Sequence, residues 1–174
     1  MSFYSVKALL ILDSVSGTRV VAKYFSFDDK LTKRNEQLEF EKSLFAKINT
    51  QRAEITFLDE YVALYKAVSD FTVCVIGTAE ENEIILLSTL NIIIEALTLL
   101  LGEQIDKRVL VDHLDCILLI FDEIVDDGII FELDLKEIID RISIGGSSEG
   151  SLGEQIVSEA VKTLRKHARN LLMG

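Results

Sequence analysis

A chain of 174 residues with 49% hydrophobic side chains is long enough for one domain with a substantial core, and too apolar to stay disordered. Its 29 acidic residues against 18 basic ones give a net charge of -11, which repels nucleic acid and anionic lipid and argues against a DNA or RNA function. Cys74 and Cys116 sit singly in apolar runs and read as buried thiols of a reducing compartment, and the start Met1-Ser-Phe-Tyr-Ser-Val-Lys7 lacks a secretory pattern, so a cytoplasmic protein is expected.

In chain order, Phe3 to Leu12 and Thr18 to Phe25 are strand-like runs joined by the turn Asp13-Ser-Val-Ser-Gly17, which predicts a hairpin. Ala8 to Leu12 is apolar without alternation, so the first strand is expected to be covered on both faces. A helix starting near Thr32 or Asn35 follows, with a stripe of Leu38, Phe45 and Ile48 and Leu44 beside it. Glu54 to Leu58, Tyr61 to Lys66 and Phe71 to Thr78 then read as an antiparallel meander, because their connections are short.

From there the pattern is helical. Thr78-Ala-Glu-Glu81 has capping-box form and Asn82 is an equally fair cap; Gly102 is the natural stop. Ile84 to Leu101 carries a single charge, Glu95, and is long enough to be a candidate membrane span. Its flanks are acidic on both sides and Ser88, Thr89, Asn91 and Thr98 interrupt it, which predicts a helix buried in protein. Asp106 caps the next helix, expected to run to Asp127, with Leu110, Leu114, Ile117, Phe121 and Ile124 on one stripe, Val111, Leu118 and Val125 widening it, and Leu119 and Ile120 reaching further round. A last short helix spans Leu135 to Ile142. Two strands, a helix, three strands and then helices predict an α+β domain: one five-stranded antiparallel sheet with helices on both faces.

The stretch Phe121-Asp-Glu-Ile-Val-Asp-Asp-Gly-Ile-Ile-Phe-Glu-Leu-Asp134 joins that helix to an acidic end without a reactive residue. Gly128 fits a left-handed helix stop, while Asp122, Glu123, Asp126 and Asp127 crowd the end where the helix dipole prefers cations, at a cost of roughly 1 kcal/mol or more. The alternatives are a solvated helix end and an acidic patch kept for a basic partner. This motif resembles that of the coatomer zeta chains and, more distantly, the clathrin-adaptor small chains. Val6-Lys-Ala-Leu-Leu-Ile-Leu-Asp13, Ile55-Thr-Phe-Leu-Asp59, Leu64-Tyr-Lys66 and Val75-Ile-Gly77 match in order and spacing, so the resemblance covers nearly all of residues 1–144. It implies a longin-like fold. Where clathrin-adaptor small chains carry an Arg-rich strand, this sequence reads Tyr61-Val-Ala-Leu-Tyr-Lys66, which favours the coatomer branch and puts recognition of dileucine signals in doubt.

Residues 145–150, Gly-Gly-Ser-Ser-Glu-Gly, read as a flexible linker. Their glycine spacing imitates a phosphate loop, but Ser151-Leu152 stands where Lys-Ser/Thr is required. Residues 151–174 read as a C-terminal amphipathic helix with Val157, Val161, Leu164, Ala168 and Leu172 on one face, and with Lys162, Arg165, Lys166 and Arg169 making its second half basic. No nucleophile elbow, zinc helix or dinucleotide motif occurs, His113 and His167 are far apart, and the acidic cluster lacks the loop spacing of a calcium site, so neither catalysis nor a cofactor or metal is expected. The resemblance implies a non-catalytic coat subunit that binds a large gamma-type solenoid chain, has no small-molecule substrate, and reaches Golgi and COPI-type vesicle membranes through the complex in Golgi-to-ER and intra-Golgi transport. The alternative is a sigma-type small chain of a clathrin adaptor. The candidate partner interface comprises Leu119, Ile120, Asp122, Glu123, Asp126 and Asp127, together with Val157, Val161, Leu164 and Leu172.

Overall fold

The computed structural model describes residues 6–25, 30–50, 53–102 and 104–145. The linker 146–150 and the expected C-terminal helix therefore lie outside the described residues. The sheet is antiparallel throughout, in the order β2-β1-β5-β4-β3, built from β1 (Val6–Asp13), β2 (Arg19–Tyr24), β3 (Ile55–Leu58), β4 (Tyr61–Val68) and β5 (Phe71–Thr78). The long-range pairing of β1 with β5, Leu9 opposite Val75 and Ile11 opposite Val73, puts the first strand inside the sheet, between β2 and the central β5. Both of its faces are covered, which is why Ala8 to Leu12 is apolar without alternation.

One face carries α1 (Arg34–Thr50), whose Leu44 packs with Phe40 and Ile48 on Ala8, Leu10, Cys74 and Ile76. The other carries α2 (Glu83–Leu101), α4 (Leu114–Ile124) and α5 (Leu135–Gly145). α2 is long and apolar enough to cross a membrane. Here it lies on the sheet, with Leu86, Leu90, Ile93 and Leu97 buried against Val62, Leu64 and Val75. Its start is fixed by Asn82, whose side chain accepts from Ile84 N–H at 3.0 Å, and its end by Gly102 at φ 95°. Asn82, not Thr78, is thus the cap.

The sheet-facing stripe of α1 differs from the expected one. It centres on Glu41 and Leu44, with Leu38 and Phe45 only half-buried. Glu41 is buried because Arg19 on β2 grips its carboxylate, from Nη2 at 2.6 Å and Nε at 2.9 Å, and the Tyr24 hydroxyl donates to the same oxygen at 2.8 Å.

The single helix expected from Asp106 to Asp127 is two helices and a hairpin. α3 (Lys107–Asp112) ends at His113, whose φ of -128° and ψ of 36° are not helical, and α4 starts anew at Leu114. The cause is at the sheet end: Asp70 accepts from Lys107 N–H at 2.8 Å and the Lys107 ammonium pairs with Asp13, so α3 is tied to the β4–β5 turn and the end of β1 while α4 packs on α2. Asp13 also accepts from the N–H groups of Val15 and Ser16 at 2.8 and 2.7 Å. The Lys107 hydrogen bond first, and these two next, hold its carboxyl well below the usual carboxylate range.

A depressed carboxylate contributes stability in full above its unfolded value, near 3.9, and loses it as pH falls from there through the folded value. The stability gap between the native chain and Asp13→Asn is therefore expected to be constant around neutrality and to shrink only below about pH 4. Urea unfolding across pH 3 to 7 checks this; a gap that closes between pH 5 and 7 contradicts it.

Candidate functional site

The acidic motif folds differently from its first reading. α4 ends at Ile124, and Val125–Asp126 pairs with Ile129–Ile130 as a short hairpin, β6 and β7. Asp127 at φ 47° and Gly128 at φ 84° supply the two positive values that a tight hairpin turn of this hand requires. Gly128 is therefore a turn glycine, not a helix stop, and Asp126 and Asp127 lie beyond the helix whose dipole they were expected to oppose. The turn docks on the start of β1: Val6 N–H donates to the Gly128 carbonyl at 3.0 Å, and a Cβ on Gly128 would stand 2.8 Å from the Val6 carbonyl oxygen.

The four carboxylates separate into two kinds. Asp122 forms an ion pair with Lys23 on β2, and Glu123 lies 3.8 Å from Arg141 on α5. Arg141 also meets Glu132 at 3.3 Å and stacks 5.0 Å from the Phe131 ring. Glu132 accepts from the N–H groups of Asp134 and Leu133, which lower its carboxyl from the ordinary value. Asp122 and Glu123 thus serve the fold. Asp126 and Asp127 are exposed and make no ion pair among the described residues.

Among the apolar candidates, Ile120 is 0% exposed and packs in the core with Ile117, Phe121 and Ile124, so it offers nothing to a partner in this fold. Leu119 is 44% exposed, and Leu114 and Leu118, read as core positions from the stripe, are 37% and 43% exposed beside it. Asp115 and Asp122 sit between these leucines on the same arc of α4, and exposed Val111 and Asp112 extend it onto α3. An apolar helix face interleaved with carboxylates is the surface the structure brings together. The signal for it was the excess of apolar residues around α4, more than one sheet face covers. Val157, Val161, Leu164 and Leu172 lie outside the described residues.

No reactive centre accompanies this face. Burial pushes the Cys116 thiol up to about 11, with the Asp115 charge adding to it, and burial pushes Cys74 up further. The His113 ring is occupied by the Val109 carbonyl, 2.8 Å from Nδ1. Among the described residues no three His, Cys, Asp or Glu side chains converge as a metal site.

A five-stranded antiparallel sheet sandwiched between one helix and several, with an exposed helix face as its distinctive surface, has the architecture of an adaptor-type small chain. A chain of a homology model of the full-length AP-3 complex in a stretched open conformation superposes with a TM-score of 0.61 over 95% of this chain and 98% of that one, at 13% identity, a likeness of fold. The model of the clathrin adaptor complex small chain family matches residues 5–149. Coatomer subunit zeta-1 of Arabidopsis thaliana is 43% identical over 97% of this chain and 96% of its own length. Coatomer subunit zeta-1 of Homo sapiens is 36% identical over 97% and 93%, and coatomer subunit zeta-3 of Oryza sativa subsp. japonica 44% over 94% and 93%. The chain belongs to the clathrin adaptor complex small chain family, on the branch of the coatomer zeta subunits.

Proposed function

We propose that this chain is the non-catalytic small subunit of a coatomer coat, pairing with a large gamma-type solenoid subunit and acting in Golgi-to-ER and intra-Golgi vesicle transport. The observation that carries this reading is the identity to coatomer zeta chains along nearly the whole length, 43% in one case. Its place is the cytoplasm and, through the complex, the cytosolic face of Golgi and COPI-type vesicle membranes. With its own charge of -11 the chain is poorly suited to approach anionic lipid unaided. The partner surface in this reading is the exposed arc of α4 with Leu119, continued by Asp126 and Asp127 of the hairpin, and Asp122, which also pairs with Lys23, lies between its leucines.

Affinity capture of the tagged chain from cytosol tests the reading. A stoichiometric set of coatomer subunits is expected. Recovery of clathrin-adaptor large chains instead would assign the chain to the sigma-type alternative, which the family model also accommodates.

The carboxylates give a sharper check. Because Asp126 and Asp127 lie outside the helix, D126N/D127N relieves no dipole clash, and an Asn-Gly pair suits the turn as well as Asp-Gly does. Stability is expected to stay within about 0.5 kcal/mol of the native chain, while affinity for the large subunit falls, most at low salt. Chemical unfolding and calorimetric binding at two ionic strengths measure the two effects; unchanged affinity at low salt removes both residues from the interface.

A further inference from the structure

We infer that the chain's own C-terminal segment, residues 151–172, covers the exposed α4 face when no partner does. Two independent sets of residues point to this contact. On the domain, Leu114, Leu118 and Leu119 are each more than a third exposed, Asp115 and Asp122 stand between them, and Val111, Asp112 and Asp126 continue the surface at either end. On the segment, Val157, Val161, Leu164, Ala168 and Leu172 recur at helical spacing, and Lys162, Arg165, Lys166 and Arg169 flank that stripe on one side. These four are the concentrated basic charge in a chain with a net charge of -11. An apolar stripe flanked by cations fits a leucine arc interleaved with aspartates, and such complementarity orients a contact more than it strengthens it.

Length and position agree. The described chain ends with α5, which packs on both α4 and α2. Residues 146–150 span at most about 17 Å when extended, on the scale of α4 itself, Leu114–Ile124, at about 16 Å, and they follow an element that packs on α4. A free helix of this size is marginal in water and gains order from a host. A linker this short also gives the segment a millimolar-scale effective concentration at that face, well above what a second copy offers in dilute solution. A vesicle surface is a weaker host, because the segment has no Trp or Phe to anchor in it.

The contact goes beyond the coat reading and is stated for the free chain. Where the large subunit uses the same arc, the segment is its competitor. The test therefore reads the full chain alone, so that its failure leaves the coat reading untouched.

A dilute one-to-one mixture of isotope-labelled and unlabelled full-length chain is treated with a zero-length carboxyl-to-amine cross-linker and mapped by mass spectrometry. The expected products join Lys162 or Lys166 to Asp112, Asp115, Asp122 or Asp126 within one isotopic species, and they vanish in L114E/L118E, whose exposed positions leave the core intact. Mixed-isotope products would make a second copy the occupant and overturn the inference. So would coupling of these lysines to carboxylates of the opposite face, such as Glu36 or Glu39 on α1, persistence of the products in L114E/L118E, or no product from the segment at all.

Discussion

Gly128→Ala is expected to destabilise the chain by about 2–4 kcal/mol, a large effect for one methyl group in a two-residue turn. Two causes add. The residue sits at φ 84°, where an L side chain is strained, and the added Cβ meets the Val6 carbonyl oxygen at 2.8 Å, which is backbone and cannot rotate away. Relief requires the hairpin to lift from β1, and with it the hydrogen bond from Val6 N–H to the Gly128 carbonyl. Val6 begins β1, an interior strand, so the damage reaches the sheet. Urea unfolding gives the number, and Asp127→Asn, which keeps the turn, is the control. A loss below about 0.5 kcal/mol for Gly128→Ala would mean that the turn does not dock on β1.

Arg19→Met is expected to cost about 3–5 kcal/mol, because it strands the buried Glu41 carboxylate. Glu41 lies beneath α1 with its oxygens held by Arg19 and Tyr24, and water does not reach them to replace the guanidinium. R19M/E41L is expected to recover most of that loss, since an apolar pair of similar volume removes the stranded charge. The pair of unfolding curves separates the cost of isolating a charge from the worth of the ion pair. A double variant as weak as R19M would show that the site needs the polar network as a whole, Tyr24 included.

The order of elements was legible in the residues because the apolar runs obey simple burial rules. β1 is apolar throughout since α1 and α2 cover its two faces, and α2 is apolar nearly all round since the sheet, α4 and α5 share its burial. The misreadings have equally local causes. The 3.6-residue periodicity continues across His113, so α3 and α4 look like one helix; the break is imposed by Asp13 and Asp70 holding Lys107, contacts remote in sequence. Asp127-Gly128 suits a helix stop as well as a hairpin, and only the pairing of Val125 with Ile130 decides between them. Glu41 gives no signal in the α1 pattern, because its partner Arg19 belongs to β2, an edge strand remote in sequence. At the candidate site, the carboxylates were found but not sorted. Lys23 and Arg141 claim Asp122 and Glu123, and of the leucines on the arc the sequence singles out Leu119, whereas Leu114 and Leu118 fall on the stripe with Leu110 and Ile117.

The central claim is that the chain is one half of a stable pair with a large coat subunit. It is tested most directly by binding the purified full-length chain to a purified coatomer gamma subunit, with a clathrin-adaptor large chain in parallel, under sedimentation equilibrium. A one-to-one complex with the coatomer chain alone is expected, weakened when Leu119, Asp126 and Asp127 are replaced together by Lys. A chain that stays unpaired with the coatomer subunit at micromolar concentration, or that pairs with the clathrin-adaptor chain instead, would contradict it.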